Sequence, residues 1–454
     1  MKMPFPFDAM LLFGSLAIML LVGVLLRAKI SIFQRFLIPS CLIGGVLGLI
    51  LVNGGIIKLS VTDLETFAYH FFNISFISVG LTNNANQSDN FIKKKGFIKG
   101  PLWMAFSQTI AFNLQAIIGG LCVILLGFFG FKLFPTFGFF APLGFEEGPG
   151  QALSFGRIWE GIGFEHAATI GLTFAAIGYF FAFFVGVPLA NWGIRRGLAV
   201  NAPQNLPPEF LTGVMTRKAL NRSAGTQTLH SANIDTLAYQ TAMVGLVYVL
   251  TYGFIRSAGS FLPPDAASLL WGFFFFFGLI IAFIIRWLMG KLGVDYLIDP
   301  GVQRRITGWS IDFLIVATIM AIKLTIVWAY ILPISLISLS CGTLTTVAIL
   351  FLGNRLWSYN LERTVVIFGT VTGTVSCGLL LLRIVDPDFK TPAVIEIALM
   401  NVIMLFPLAG LLVLVNAPVW WGWNLGLTMM AFAAAMVMAA FLMKIFKLLG
   451  NPKF

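Results

Sequence analysis

Two short stretches of this sequence place polar, glycine-rich backbone inside otherwise strongly apolar surroundings. The first, residues 144 to 156, reads GFEEGPGQALSFG, and the second, residues 369 to 378, reads GTVTGTVSCG. Glycine lets a ligand approach the backbone, and a helix that begins or ends there leaves N–H or C=O groups unpaired. Unpaired N–H groups attract anions, whereas C=O groups and Thr or Ser hydroxyls are neutral oxygen ligands that suit sodium. Both stretches are therefore candidate binding sites.

The residues in these stretches differ in the charge that they favour. The candidates for substrate or ion binding are Gly148, Gly150, Gln151, Thr372, Gly373, Thr374 and Ser376. Glu146 and Glu147 do not fit an anion site, because acids repel a carboxylate. They belong either at a water-exposed mouth or in a cation site, and Glu147 joins Thr372 and Thr374 as a candidate sodium ligand.

Two polar residues in apolar spans complete the set of candidates. Asn83 is the second-last residue of the run NISFISVGLTNN, and Asp312 lies in WSIDFLIVATIMAIKLT. An ionisable residue inside a membrane is costly and usually functional, so Asp312 is a candidate ligand of a coupling ion such as sodium. The structural alternatives are that Asn83 caps a helix C-terminus and that Asp312 extends to the inner membrane interface.

The composition is that of a polytopic membrane protein. Of 454 residues, 58% are hydrophobic and 10% are charged, whereas soluble proteins carry about 25% charged residues. We attribute the net charge of +11 to basic loops that orient the chain in a bilayer, and not to nucleic-acid binding. The cysteines and histidines show no disulfide or metal spacing, and the sequence has no nucleotide or soluble-enzyme motif. We therefore expect no enzyme activity and no cofactor besides a coupling ion.

Runs of about 20 apolar residues predict eleven membrane spans. They are Ala9–Leu26, Phe36–Asn53, Phe67–Leu81, Leu102–Leu126, Ala167–Ile194, Leu237–Ile255, Ala266–Met289, Gly308–Leu324, Leu332–Leu352, Ala393–Val415 and Leu425–Phe446. With the N-terminus outside, only six of the 29 Lys and Arg face outward, namely Lys2, Lys58, Lys132, Arg157, Arg256 and Lys323. This bias predicts an external N-terminus and a cytoplasmic C-terminus.

A polar segment rich in Pro, Asn and Ser, residues 197–234, divides the spans into five before and six after. Such composition indicates a linker, here on the cytoplasmic side. Because five is odd, the second block starts on the opposite side, and related blocks would be inverted repeats. The predicted division is a first repeat (1–196, hairpin near 135–156), the linker, a second repeat (235–415, hairpin near 363–389) and an extra C-terminal helix (416–454).

Each block contains one interrupted stretch between its fourth and fifth spans, at residues 128 to 165 and 363 to 389. Pro in the first stretch and glycines in both argue against one continuous helix. Paired interruptions in inverted halves indicate a transporter's binding site, since non-helical backbone at membrane depth needs cover by protein or water. The alternative is a pair of ordinary re-entrant or extramembrane loops without ligand contact.

Four longer runs resemble the sodium/glutamate symporter family. LLRAKISIFQRFLIPSCLIGGVLGLIL (25 to 51) is similar to a family passage in which a basic loop leads into Ile-Pro and Gly-Gly. SFISVGLTNN (75 to 84) and MAIKLTIVWAYILPISLI (320 to 337) resemble matching passages of its two halves. GTVTGTVSCGLLLLRIVDPDFKTP (369 to 392) resembles a hairpin of divergent members. The resemblance covers most of residues 10 to 415, but the Gly-Gly-X-Gly pattern typical of the family's hairpins is absent.

The resemblance implies an all-α fold of two inverted five-helix repeats, each with a re-entrant hairpin. It also implies sodium-coupled symport of a small organic anion, glutamate first, by a homodimer; we place it in a plasma membrane of the bacterial inner-membrane type. Two other functions stay open at the level of sequence. One is a cation or proton antiporter in which Glu147 titrates. The other is a membrane-embedded glycan ligase or polymerase that uses the acidic outward segment.

Overall fold

The computed structural model describes residues 6–82, 98–201, 208–215, 225–262, 267, 270–387 and 389–452, and these contain helices and no β-strand. The helices are α1 Asp8–Lys29, α2 Ser31–Arg35, α3 Ser40–Asn53, α4 Val61–Leu81, α5 Lys99–Phe128, α6 Phe140–Phe145, α7 Pro149–Glu160, α8 Ala167–Phe184, α9 Gly186–Arg195, α10 Pro208–Thr212, α11 Thr236–Gly259, α12 Phe274–Lys291, α13 Pro300–Met320, α14 Leu324–Ala329, α15 Ile331–Gly353, α16 Asn360–Gly373, α17 Val375–Val385, α18 Ala393–Leu414, α19 Ala417–Trp420 and α20 Leu425–Ile445. A 3₁₀ turn, Phe137–Phe139, precedes α6.

Within the described residues, eight helical stretches are long and apolar enough to cross a membrane. They are α1, α5, α8 together with α9, α11, α12, α15, α18 and α20. The prediction of an α-helical polytopic membrane protein is thus confirmed. The division into inverted repeats with re-entrant hairpins stays a prediction.

Helices α3, α4 and α13 lie where the other three spans were predicted, and their sequences differ from the eight. Helix α3 has only 14 residues. Helices α4 and α13 pack against each other and bury polar side chains between helices: the Ser78 hydroxyl is 2.8 Å from the carbonyl oxygen of Gln303 and 2.7 Å from its Oε1. Because protein covers these polar groups, the two helices need not be apolar all round.

The helices pack into two groups, and each group contains helices that precede the 197–234 segment and helices that follow it. The first helix group consists of α1, α3, α4, α11, α12 and α13. The second helix group consists of α5 to α9, α15 to α18 and α20. Contacts between the groups include those of α7 and α8 with α13 and of α7 with α4. The interrupted stretches both lie in the second helix group.

A buried ion pair fixes α16 to α18 within the second helix group. Arg363 donates from Nε to Glu396 Oε2 at 2.7 Å and from Nη2 to Oε1 at 2.6 Å. The two side chains are 4% and 1% exposed, and the guanidinium also stacks over the ring of Trp357 at 4.8 Å. Bidentate geometry supplies the hydrogen bonds that an ion pair needs in order to be tolerated away from water.

Candidate functional site

The first interrupted stretch contains a break between two buried helices. Helix α6 ends at Phe145 and α7 begins at Pro149. Between them Gly148 adopts φ +84° and ψ −174°, a conformation that residues with a Cβ rarely reach. Pro149 then occupies the first helical position, where its missing N–H costs nothing and its fixed φ suits the helix. The Gly-Pro sequence therefore breaks the helix as predicted.

The second interrupted stretch contains a matching break. Helix α16 ends at Gly373, α17 begins at Val375, and Thr374 between them adopts φ +84° and ψ +164°. This is nearly the conformation of Gly148, yet here a β-branched residue adopts it. Such a conformation costs about 1–3 kcal/mol and persists only where the surroundings enforce it. Backbone strain of this kind clusters at functional sites.

The two breaks lie against each other. A Cβ placed on Gly148 would come within 2.4 Å of Thr374 Cγ2 and 3.9 Å of the Tyr179 hydroxyl on α8. A Cβ placed on Gly178, also on α8, would lie 2.5 Å from the carbonyl oxygen of Thr372 and 3.1 Å from Phe145 Cα. Helix α8 thus runs beside both breaks, and four helix ends gather around it.

These helix ends carry opposite partial charges. Helices α7 and α17 begin at the breaks with unpaired N–H groups, which favour an anion. Helices α6 and α16 end at the breaks with unpaired C=O groups, which favour a cation. One small region can therefore hold a carboxylate and a sodium ion side by side.

Gln151 supplies an unpartnered polar side chain in the first turn of α7. It is fully buried, and neither its Nε2 nor its Oε1 has a hydrogen-bond partner among the described residues. A buried polar group left without a partner costs about 1–3 kcal/mol, so the group fits a ligand. The neighbouring Gly150 packs on α4 of the first helix group, because a Cβ there would lie 2.1 Å from the ring of Phe72.

Glu146 is inside the protein, whereas Glu147 is partly exposed. Glu146 is 4% exposed, and within the described part of the chain neither of its carboxylate oxygens has a hydrogen-bond partner. The same is true of the buried Oε1 of Glu147. The side chain of Gln108, from α5, lies against Glu146. Of the two locations open at the level of sequence, a cation site fits this burial.

The remaining candidates in the second stretch differ in their surroundings. Thr372 is buried, and its hydroxyl donates to the carbonyl oxygen of Phe368 at 2.6 Å. Gly373 packs on α8, where a Cβ would lie 2.8 Å from Ala182 Cβ. Ser376, in the first turn of α17, is exposed. Thr372 therefore keeps only its lone pairs for a ligand, whereas the Ser376 hydroxyl is accessible.

Of the two candidates that belong to the sequence of the first helix group, the structure describes Asp312 and not Asn83. Asp312 on α13 is exposed and lies beside the Cys41 thiol of α3, and Cys377 of α17 is within electrostatic range of that thiol. This relation places Asp312 on the side of the first helix group that faces the second break. Asn83 lies outside the described residues. Helix α4 ends at Leu81, and the C-cap residue is Thr82.

The structure adds an ion pair that sequence reasoning did not find. Arg157 of α7 pairs with Glu65 of α4, and its other nitrogen contacts Glu160 at 2.9 Å. The pair lies in a cleft of about 540 Å³ between the helix groups. Ninety-two positions separate Arg157 from Glu65, so no local pattern indicated the contact. Tyr179 was likewise missed, because its position depends on tertiary packing.

Comparison with known proteins identifies one family. A family model described as sodium/glutamate symporter matches residues 5–374, which include both breaks. A search of curated proteins finds no match.

Proposed function

This chain belongs to the sodium/glutamate symporter family, and from that premise we propose that it moves a small organic anion together with sodium by alternating access. Membership supports sodium-coupled transport across a membrane, and it excludes the ligase or polymerase reading, because the family consists of transporters and not enzymes. Glutamate is the substrate that we propose first.

The observation that carries the proposal is the meeting of the two helix breaks at Gly148 and Thr374. The N-terminal ends of α7 and α17 would bind a substrate carboxylate, with Gly150 in the first turn of α7. The unpartnered Gln151 amide would donate to the same substrate. Gly373 and Ser376 flank the second break and complete the proposed binding surface.

Sodium would bind at the carbonyl ends of α6 and α16 nearby. Thr372 and Thr374 supply neutral oxygen atoms there, and Asp312 and Glu147 supply charged ones. Sodium coordinated by unwound carbonyls beside an anion held by helix N-termini is the arrangement that broken helices make possible in transporters.

Alternating access would come from movement of one helix group against the other. Both breaks lie in the second helix group, while α4 and α13 of the first helix group cover it from one side. We propose that the breaks are the tips of two re-entrant hairpins of inverted repeats in a plasma membrane, with an external N-terminus, a cytoplasmic C-terminus and two subunits per assembly.

Uptake of labelled glutamate into proteoliposomes tests the proposal. A sodium gradient should drive accumulation, and a potassium gradient of the same size should not. Gln151→Leu should raise the KM for glutamate about tenfold, since it removes a donor from a buried site. The exposed Gln227→Leu is the matched control and should leave the KM unchanged. Failure of every acidic amino acid to accumulate with sodium would refute the proposed substrate class.

A second candidate function rests on the burial of Glu146 and of the Oε1 atom of Glu147. A proton or cation antiporter would use Glu147 as the group that binds and releases the ion. Proton-coupled flux that is lost in Glu147→Gln and kept in Glu146→Gln, without glutamate transport, would favour this function over symport.

A further inference from the structure

No ion pair found among the described residues stabilises the buried Glu146 carboxylate, and its polar neighbour Gln108 makes no hydrogen bond of normal geometry to it. Glu146 is 4% exposed, and both carboxylate oxygens lack a hydrogen bond within the described part of the chain. A buried ionised group without a partner costs several kcal/mol. Its neighbour Glu147 adds electrostatic repulsion and does not offset this cost.

The surroundings of Glu146 offer acceptors. Gln108 lies against it, is 5% exposed, and has an Oε1 with no hydrogen-bond partner in the part of the chain that the structure describes. At the C-terminal end of α6 the N–H groups of Glu146 and Glu147 both donate to the carbonyl oxygen of Pro142, at 3.1 and 3.3 Å, so neither occupies the carbonyl oxygens that follow it. Carboxylate, amide and carbonyl oxygens together form an environment that a hard cation satisfies.

We propose that the Glu146 carboxylate and the Gln108 amide oxygen form a sodium site at the C-terminal end of α6. The proposal rests on the sodium-coupled symport proposed above and deepens it. It assigns the ion to Glu146, which the sequence did not single out as a ligand, ahead of Glu147, Asp312 and the threonines.

This site would also explain how the ion and the substrate are coupled. Glu146 precedes the break, and the anion-binding end of α7 follows it, with Gly148 between them. An unoccupied Glu146 repels a substrate carboxylate at Gln151, and bound sodium cancels that repulsion. Each ligand then raises the affinity for the other by the same factor, and a factor of about tenfold or more is expected.

Sodium binding by the purified full-length protein, without substrate, tests the site. The readouts are binding of radioactive sodium and the melting temperature in NaCl, compared with KCl and choline chloride. Sodium should raise the melting temperature of the wild type saturably, because it binds the folded state. Glu146→Gln should abolish both sodium responses, and Gln108→Leu should weaken sodium binding about tenfold. Glu165→Gln, at an exposed glutamate, is the matched control and should keep them.

The outcomes separate this proposal from the proposed function. If Glu146→Gln keeps the wild-type sodium affinity, or if Asp312→Asn alone removes it, the Glu146 site is wrong while sodium-coupled transport stands. If the wild type binds no sodium and responds only to pH, both the site and the symport are wrong. A Glu146→Gln protein whose melting temperature in choline equals or exceeds that of the wild type shows that the variant folds.

Discussion

Arg157 and Glu65 form an ion pair that joins the second helix group to the first. Glu65 is 5% exposed and Arg157 is 46% exposed, so the pair stands at the edge of a cleft between α4 and α7. Movement of the two groups apart must break it. We therefore expect the pair to resist separation of the two groups at this side of the cleft. Its removal should show how much it stabilises their contact.

Breaking the Arg157–Glu65 ion pair should destabilise the protein, because Glu65 would keep a buried charge. Arg157→Gln should lower the free energy of unfolding by about 1–3 kcal/mol, because the Glu65 carboxylate loses its partner. Adding Glu65→Gln should restore part of the loss. Thermal unfolding in detergent measures the effect, with the exposed Arg256→Gln as control. Equal stability of Arg157→Gln and the wild type would show that the pair contributes nothing.

A methyl group at the first break should disrupt transport by a defined collision. Gly148→Ala would place a Cβ 2.4 Å from Thr374 Cγ2 and would also strain a backbone at positive φ. Glutamate uptake should fall more than tenfold.

The double variant Gly148→Ala, Thr374→Ser tests whether the breaks touch. Serine removes the Cγ2 methyl that the new Cβ meets, so uptake should recover in part, while Thr374→Ser alone should behave much as the wild type. No recovery in the double variant would argue that backbone strain, and not contact between the breaks, causes the defect.

The conformation of Thr374 should make glycine more stable than threonine at this position. Thr374→Gly should raise the free energy of unfolding by about 1 kcal/mol, since it relieves positive φ. If the hydroxyl is a sodium ligand, Thr374→Val should raise the sodium concentration needed for half-maximal uptake, whereas Thr374→Ser should not. Thermal unfolding and sodium titration of uptake check the two effects separately.

The buried pair of Arg363 and Glu396 should behave as a single unit. Arg363→Met should destabilise the protein by about 3–5 kcal/mol, because Glu396 keeps a buried charge without a partner. Arg363→Met combined with Glu396→Leu should be much less destabilised. Arg355→Gln, at a partly exposed arginine stacked on Phe351, is the control. Additive losses in the double variant would contradict the coupling.

The spans and the breaks could be predicted because their signals are local. Apolar runs of sufficient length mark spanning helices, and Gly-Pro marks the break at Gly148. The exact position of the second break was harder to predict. Gly373 is the residue expected to break the helix, but Thr374 does so instead. Tertiary packing forces that conformation, and no propensity encodes it.

The environment of the site could not be read from the chain in the same way. Whether protein or water surrounds Glu146 depends on how α5 packs against α6. The same packing brings Gln108 of α5 next to Glu146. The same holds for Glu65, whose partner comes from a helix far along the sequence. Burial and pairing of these side chains are properties of the assembled helices.

Each helix group contains helices from both halves of the chain, and this has a consequence for biosynthesis. Ser78 on α4 bonds to Gln303 on α13, 225 residues later. At roughly 5–20 residues per second of translation, α4 waits roughly 11–45 seconds for that partner. During this interval the nascent first half has neither helix group complete, and the polar face of α4 needs temporary cover from the insertion machinery or a chaperone. A ribosome stalled after α9 should therefore leave a fragment that membrane proteases degrade, and supplying the second half as a separate polypeptide should protect it.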